Sequence, residues 1–85
     1  MTLTVTPNPL IQGESARVCI HGGPPSSTAT VDINNGGDQA DSLPIDLDAS
    51  GNGCSDWPVP TTWNLAKFNY GGQEVVRYIF APASP

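Results

Sequence analysis

An all-β fold of short antiparallel strands is what this sequence predicts, and three observations lead there. Nine Gly and nine Pro among 85 residues leave no room for long helices, because Pro removes a backbone donor and Gly loses the most entropy on ordering. Apolar residues alternate with polar ones in run after run, the period of a half-buried strand. Turn signals separate these runs every 8 to 12 residues, giving about seven strands. The chain is long enough for one domain, residues 1–85, and too short for two. With 38% apolar residues its core is lean, and a covalent staple would help it.

Taken in order, Thr2 to Thr6 alternates Leu3 and Val5 with threonines and stops at Pro7-Asn8-Pro9, which cannot continue a ladder. Leu10-Ile11-Gln12-Gly13 reads as a linker with a turn. Glu14 to His21 forms the next strand, with Ala16, Val18 and Ile20 on one face and Ser15, Arg17, Cys19 and His21 on the other. Gly22 to Ser27 is a loop by composition. Thr28 to Ile33 turns Ala29, Val31 and Ile33 inward, and Asn34-Asn35-Gly36-Gly37 reverses the chain. Asp38 to Ser42 is either a loop or a weak edge.

Leu43 to Pro60 reads as the clearest hairpin. Leu43, Ile45 and Leu47 alternate in one arm, Trp57 and Val59 in the other, and Ser50-Gly51-Asn52-Gly53 supplies the turn. Trp63 to Tyr70 follows, with Ala66 and Phe68 favoured as the inward pair because Lys67 and Asn69 are easier to leave in water. Gly71-Gly72 turns the chain into Glu74 to Ala81. There Val75, Arg77 and Ile79 compete with Val76, Tyr78 and Phe80 for the inner face. Pro82 to Pro85 reads as a frayed tail.

Three Lys or Arg against eight Asp or Glu give a net charge of -5. Arg17, Lys67 and Arg77 are isolated, so the sequence argues against a nucleic-acid partner, which would need clustered cations. Asp32, Asp38, Asp41, Asp46, Asp48 and Asp56 fill the interval between Arg17 and Lys67 and read as a solvated acidic surface. No apolar run approaches the ~18 residues of a membrane span, and Met-Thr-Leu-Thr-Val-Thr is a strand rather than a signal peptide. The expectation is a complete protein made in the cytoplasm, or a domain of a longer one, with no membrane partner.

Leu47-Asp48-Ala49-Ser50-Gly51-Asn52-Gly53, then Trp57-Pro58-Val59-Pro60, then Trp63, Ala66, Phe68 and the Gly71-Gly72 turn resemble immunoglobulin-like domains of the bacterial and phage kind. The likeness spans roughly Leu43 to Phe80 and implies a Greek-key β-sandwich of about seven strands. Asn52, where antibody-type domains place a Tyr two residues before the second Cys, departs from that pattern. Under the immunoglobulin strand order, the strands carrying Cys19 and Cys54 are neighbours in one sheet. Both cysteines share faces with charged residues, so a bond between them would be cross-strand and on the outer face. Two reduced thiols are the alternative, favoured in a reducing compartment.

Other chemistry finds little support. His21 stands alone, with no nucleophile motif around it, and Asp46 and Asp48 share the outer face of one strand rather than flanking a sugar cleft. Asp46-x-Asp48-x-Ser50-Gly51 imitates the start of a calcium loop, making Asp46, Asp48 and Asn52 a weak Ca²⁺ candidate. Position twelve, however, is Trp57 instead of Glu. Turn chemistry is the simpler account of those side chains. Trp63, Tyr70 and Tyr78 would form a sugar-stacking platform if they shared an exposed face. Otherwise Trp57, with Trp63 or Phe68, fills the core. Two Cys and one His are too few for zinc, and no cofactor is expected.

The resemblance implies a non-enzymatic module, most simply a phage capsid decoration or virion-surface protein present in many copies on a larger protein assembly. Candidate contact residues are Leu10, Ile11, Pro24, Pro25, Trp63 and Tyr70, on edge strands and end loops. The alternatives are a spacer or adhesion module of a secreted or cell-surface protein, and a glycan-binding module.

Overall fold

The computed structural model describes residues 1–83. Ser84 and Pro85, the end of the expected tail and of the single domain, lie outside the described residues. Eight strands form: β1 (Thr2–Thr6), β2 (Leu10–Ile11), β3 (Ser15–His21), β4 (Thr28–Asn34), β5 (Ala40–Asp46), β6 (Gly53–Pro58), β7 (Leu65–Tyr70) and β8 (Gln73–Phe80). There is no helix among the described residues.

The strands make a three-stranded sheet, β1-β3-β6, and a five-stranded sheet, β2-β8-β7-β4-β5. Period-two alternation places the core between them. β3 buries Ala16, Val18 and Ile20; β4 buries Ala29, Val31 and Ile33; β7 buries Ala66 and Phe68. These are the inward sets that the sequence predicts. Trp57 fills the middle, with ring centroids 5.5 Å from Trp63 and 5.4 Å from Phe68. Both Trp63 and Phe68 join it in the core, where one of the two was expected.

In two places the architecture departs from the expectation. Leu10 and Ile11, read as a linker, form a strand. Leu10 is fully buried, and the pair runs parallel to β8, with Leu10 opposite Ile79 and Ile11 opposite Phe80. The five-stranded sheet is therefore mixed rather than purely antiparallel, and the described residues form eight strands where about seven are expected. The cause is Pro7 and Pro9, which lack the N–H a ladder needs. They release the chain from β3, and it re-pairs with the facing sheet.

Leu43 to Pro60 is not a hairpin. β5 pairs with β4, β6 pairs with β3, and the turn between them carries the chain from one sheet to the other. The crossover is closely packed and needs glycine at two positions. A Cβ on Gly53 would strike the Asp46 carbonyl, and a Cβ on Gly51 would strike the Gly23 carbonyl. Gly51 also has φ +80°, a conformation open mainly to glycine.

The Gly22–Ser27 loop is stitched to that crossover. The Gly23 N–H donates to the Gly51 carbonyl (2.9 Å), the Ser26 N–H to the Asp48 carbonyl (2.8 Å) and the Leu47 N–H to the Ser27 carbonyl (2.7 Å).

Finally, β8 resolves its two competing faces. Ile79 is buried, Val75 and Arg77 are half-buried, and Val76, Tyr78 and Phe80 point outward. Arg77 explains the choice. Its Nε donates to the Val5 carbonyl at 3.0 Å and its Nη1 to the Val76 carbonyl at 3.0 Å, so an inward guanidinium finds acceptors at the rim of the sandwich.

Candidate docking surface

Once β8 commits Arg77 and Ile79 inward, strand geometry sends Val76, Tyr78 and Phe80 to the outer face of the five-stranded sheet, about 7 Å apart in turn. Tyr78 is 65% exposed, Phe80 57% and Val76 39%. Their cross-strand partners extend the row sideways: Leu65 lies opposite Tyr78, Lys67 opposite Val76 and Ile11 opposite Phe80. Leu65, Lys67 and Ile11 are half-buried, and the Asn34–Gly37 turn leans over the first, since a Cβ on Gly36 would sit 3.3 Å from Leu65 Cδ2.

Beyond Lys67 the same face becomes polar. β4 presents Thr28, Thr30 and Asp32, β5 presents Ser42, Pro44 and Asp46, and β8 adds Glu74 opposite Asn69. One corner is thus apolar and aromatic, and the rest of the face is acidic. The three leading side chains together offer roughly 300 Å², the scale of the largest apolar patch on an ordinary monomer, where such patches are often functional.

The expected contact residues are dispersed. Leu10 and Trp63 are core residues, 0% and 7% exposed, and present no side chain to a partner. Tyr70 is half-buried and packs against the core cluster. Pro24 and Pro25 are exposed at the tip of the Gly22–Ser27 loop, and Ile11 borders the aromatic corner. Trp63, Tyr70 and Tyr78 do not share a face, so the three-ring platform is not assembled. Sequence reasoning singled out Tyr78, with Trp63 and Tyr70, but left Val76 and Phe80 off the list of contact residues. The signal was the rival parity in β8, which a preference for solvated Arg77 would have settled the wrong way.

The Ca²⁺ candidates serve the turn. Asp48 Oδ1 accepts from the Ser50 N–H and the Asn52 N–H, each at 2.9 Å, while Asn52 Oδ1 accepts from the Gly22 N–H at 2.9 Å. Asp46 Oδ1 accepts from the Thr28 hydroxyl at 2.9 Å. The backbone N–H of Asn52, then that of Ser50, holds the Asp48 carboxyl below its ordinary pKa. Among the described residues, no three His, Cys, Asp or Glu side chains are grouped closely enough to hold a metal ion.

Cys19 and Cys54 are bonded, directly opposite one another on β3 and β6, with Cα atoms 4.1 Å apart. Their bond lies on the outer face of the three-stranded sheet, as the alternation predicts. Arg17 and Asp56 pair beside it at 3.5 Å. Compared with known proteins, the chain matches no family model, no curated protein and no solved structure.

Proposed function

We propose that this chain is a non-enzymatic structural module that docks onto a larger protein assembly, most simply the outer surface of a phage capsid. The aromatic row Val76, Tyr78, Phe80 is the observation that carries this reading. Three large apolar side chains held outward on a two-sided sheet have no role in the core, and removing them from water is the available driving force for association. Roughly 300 Å² is well short of the ~800 Å² per partner of a standard stable interface. A single copy would therefore bind weakly, and many copies on one particle would hold by avidity.

Within this reading the fold is immunoglobulin-like. The order β1-β3-β6 against β5-β4-β7-β8-β2 supports it, since the first strand divides between two sheets and later strands return across the sandwich in Greek-key fashion.

Placing a photo-crosslinking residue at Tyr78 and irradiating intact particles of the source tests the proposal. A crosslink to the shell protein is expected. A chain absent from purified particles sinks the virion reading.

The Cys19–Cys54 bond favours a second reading, a spacer or adhesion module of an exported protein, because disulfides persist in oxidising compartments. A neighbouring domain of the same pattern in the gene, together with an oxidised pair in material taken from the source, would select it.

A further inference from the structure

The outer face of the three-stranded sheet, opposite the aromatic row, carries the disulfide in an asymmetric setting. Cys54 is exposed and Cys19 half-buried. The difference follows from position, since β3 is the central strand, with Thr4 of β1 opposite Cys19, whereas β6 is an edge strand. A thiolate attacks a disulfide sulfur in line with the bond it breaks, so access decides which sulfur is taken. The line to Cys54 leads in from the open edge of the sheet. The line to Cys19 leads across β1.

Charge does not separate the two sulfurs. Arg17 and Asp56 face each other across β3 and β6, two residues from Cys19 and Cys54 respectively, and pair at 3.5 Å, so their opposite charges offset at both sulfurs. Access therefore directs the attack to Cys54.

We infer that Cys54 is a thiol-exchange site for low-molecular-weight thiols of the cysteinyl-peptide class. The incoming thiolate forms a new S–S bond to Cys54 Sγ as the Cys19–Cys54 bond breaks. The bonding pair departs on Cys19 Sγ, which takes a proton from water. Reversal by the Cys19 thiolate expels the small thiol. Alternatively, a second small thiolate attacks the sulfur of the adduct, releasing Cys54 as a thiolate and a small-molecule disulfide. The net result is then a two-electron reduction of the protein pair at the expense of two small thiols.

The β3–β6 ladder keeps six registered residue pairs, and the core residues Ala16, Val18, Ile20 and Trp57 lie on its opposite face, so the exchange takes place on an intact sandwich. It is also spatially separate from the aromatic row.

Reduced glutathione added to the native chain without denaturant, followed by acid quenching and peptide mapping by mass spectrometry, tests this. The expected result is a glutathione adduct on Cys54 with tryptophan fluorescence unchanged. Cys19→Ser, with Cys54 free, should take up glutathione from its disulfide at least about tenfold faster than Cys54→Ser does through Cys19. Adducts found mainly on Cys19, or reduction only in urea concentrations that abolish the native fluorescence, would overturn the assignment. If the serine variants fail to fold, the adduct map of the native chain decides by itself.

Discussion

Trp57 links the two sheets through one side chain. Only 2% exposed, it packs its ring against Trp63 and Phe68 while its Nε1–H donates to Asp41 Oδ2 at 2.8 Å. That bond satisfies the polar tip of an otherwise apolar anchor. Trp57→Ala should lower unfolding free energy by about 3–5 kcal/mol, whereas Asp41→Ala, which strands the indole N–H, should cost about 1–3 kcal/mol. Urea titrations monitored by circular dichroism would separate the two.

Asp48 supplies a pH dependence at the same scale. Because the backbone N–H groups of Asn52 and Ser50 lower its folded-state pKa, the folded chain binds its proton less readily than the unfolded chain. The stabilisation is complete above the ordinary pKa of 3.8 and is lost as pH falls through the lower folded value. Asp48→Asn should flatten the acid limb of a stability-versus-pH curve. An unchanged limb would mean that another carboxylate governs it.

Among the elements, the edge strands explain why the sandwich can remain unaggregated. β1 would offer a free ladder, but side chains of β8 occupy it. The Leu3 N–H donates to Gln73 Oε1 at 3.0 Å, Gln73 Nε2 donates to the Met1 carbonyl at 2.7 Å, and Arg77 takes the Val5 carbonyl. At the far edge β5 carries Pro44, which removes a donor. Replacing Gln73 and Arg77 together with Ala should uncover the β1 edge and produce concentration-dependent association in sedimentation velocity. An unchanged sedimentation profile would show that the edge is protected otherwise.

The disulfide works on the unfolded chain instead. Closing a loop of 35 residues contributes roughly 4 kcal/mol in the chain-entropy model, and adding reductant should shift the urea midpoint accordingly. Most individual strands were legible because alternation states which residues share a face. Pairing was less so. Asp48-Ala49-Ser50-Gly51 is good turn chemistry for a hairpin and for a crossover alike, and the pairing of β5 with β4 and of β6 with β3 is what distinguishes them.

For the molecule as a whole, the two outer faces differ in kind. One bears threonines, the Arg17–Asp56 pair and the disulfide, and the other bears the aromatic corner and the acidic residues Asp32, Asp46 and Glu74. Tyr78→Ser combined with Phe80→Ser should leave stability within about 1 kcal/mol, since β-propensity is the main loss at exposed strand positions. Under the docking proposed above, the same pair should abolish co-sedimentation with particles of the source. Folded variants that still attach would exclude this face.

This surface was only partly legible in the sequence. The cysteine face followed from local parity, but the choice between Arg77 and Tyr78 in β8 depended on acceptors at Val5, 72 residues away. No local pattern contains that information. Leu10 and Trp63 misled for a related reason, since an apolar residue beside prolines or in a loop looks free until its burial is known.

The division of the first segment between two sheets also sets how the molecule would bear load. From Thr2 to Ile11 the chain runs alongside β8 in the same direction, meeting Gln73, then Arg77, then Ile79 and Phe80. Met1 and Ala81 accordingly lie at opposite ends of β8, Met1 beside Gln73 and Ala81 after Phe80. Tension applied between those ends pulls β1 lengthwise against β3 and β2 lengthwise against β8. Their hydrogen bonds are then loaded together in shear along the strands rather than opened one at a time.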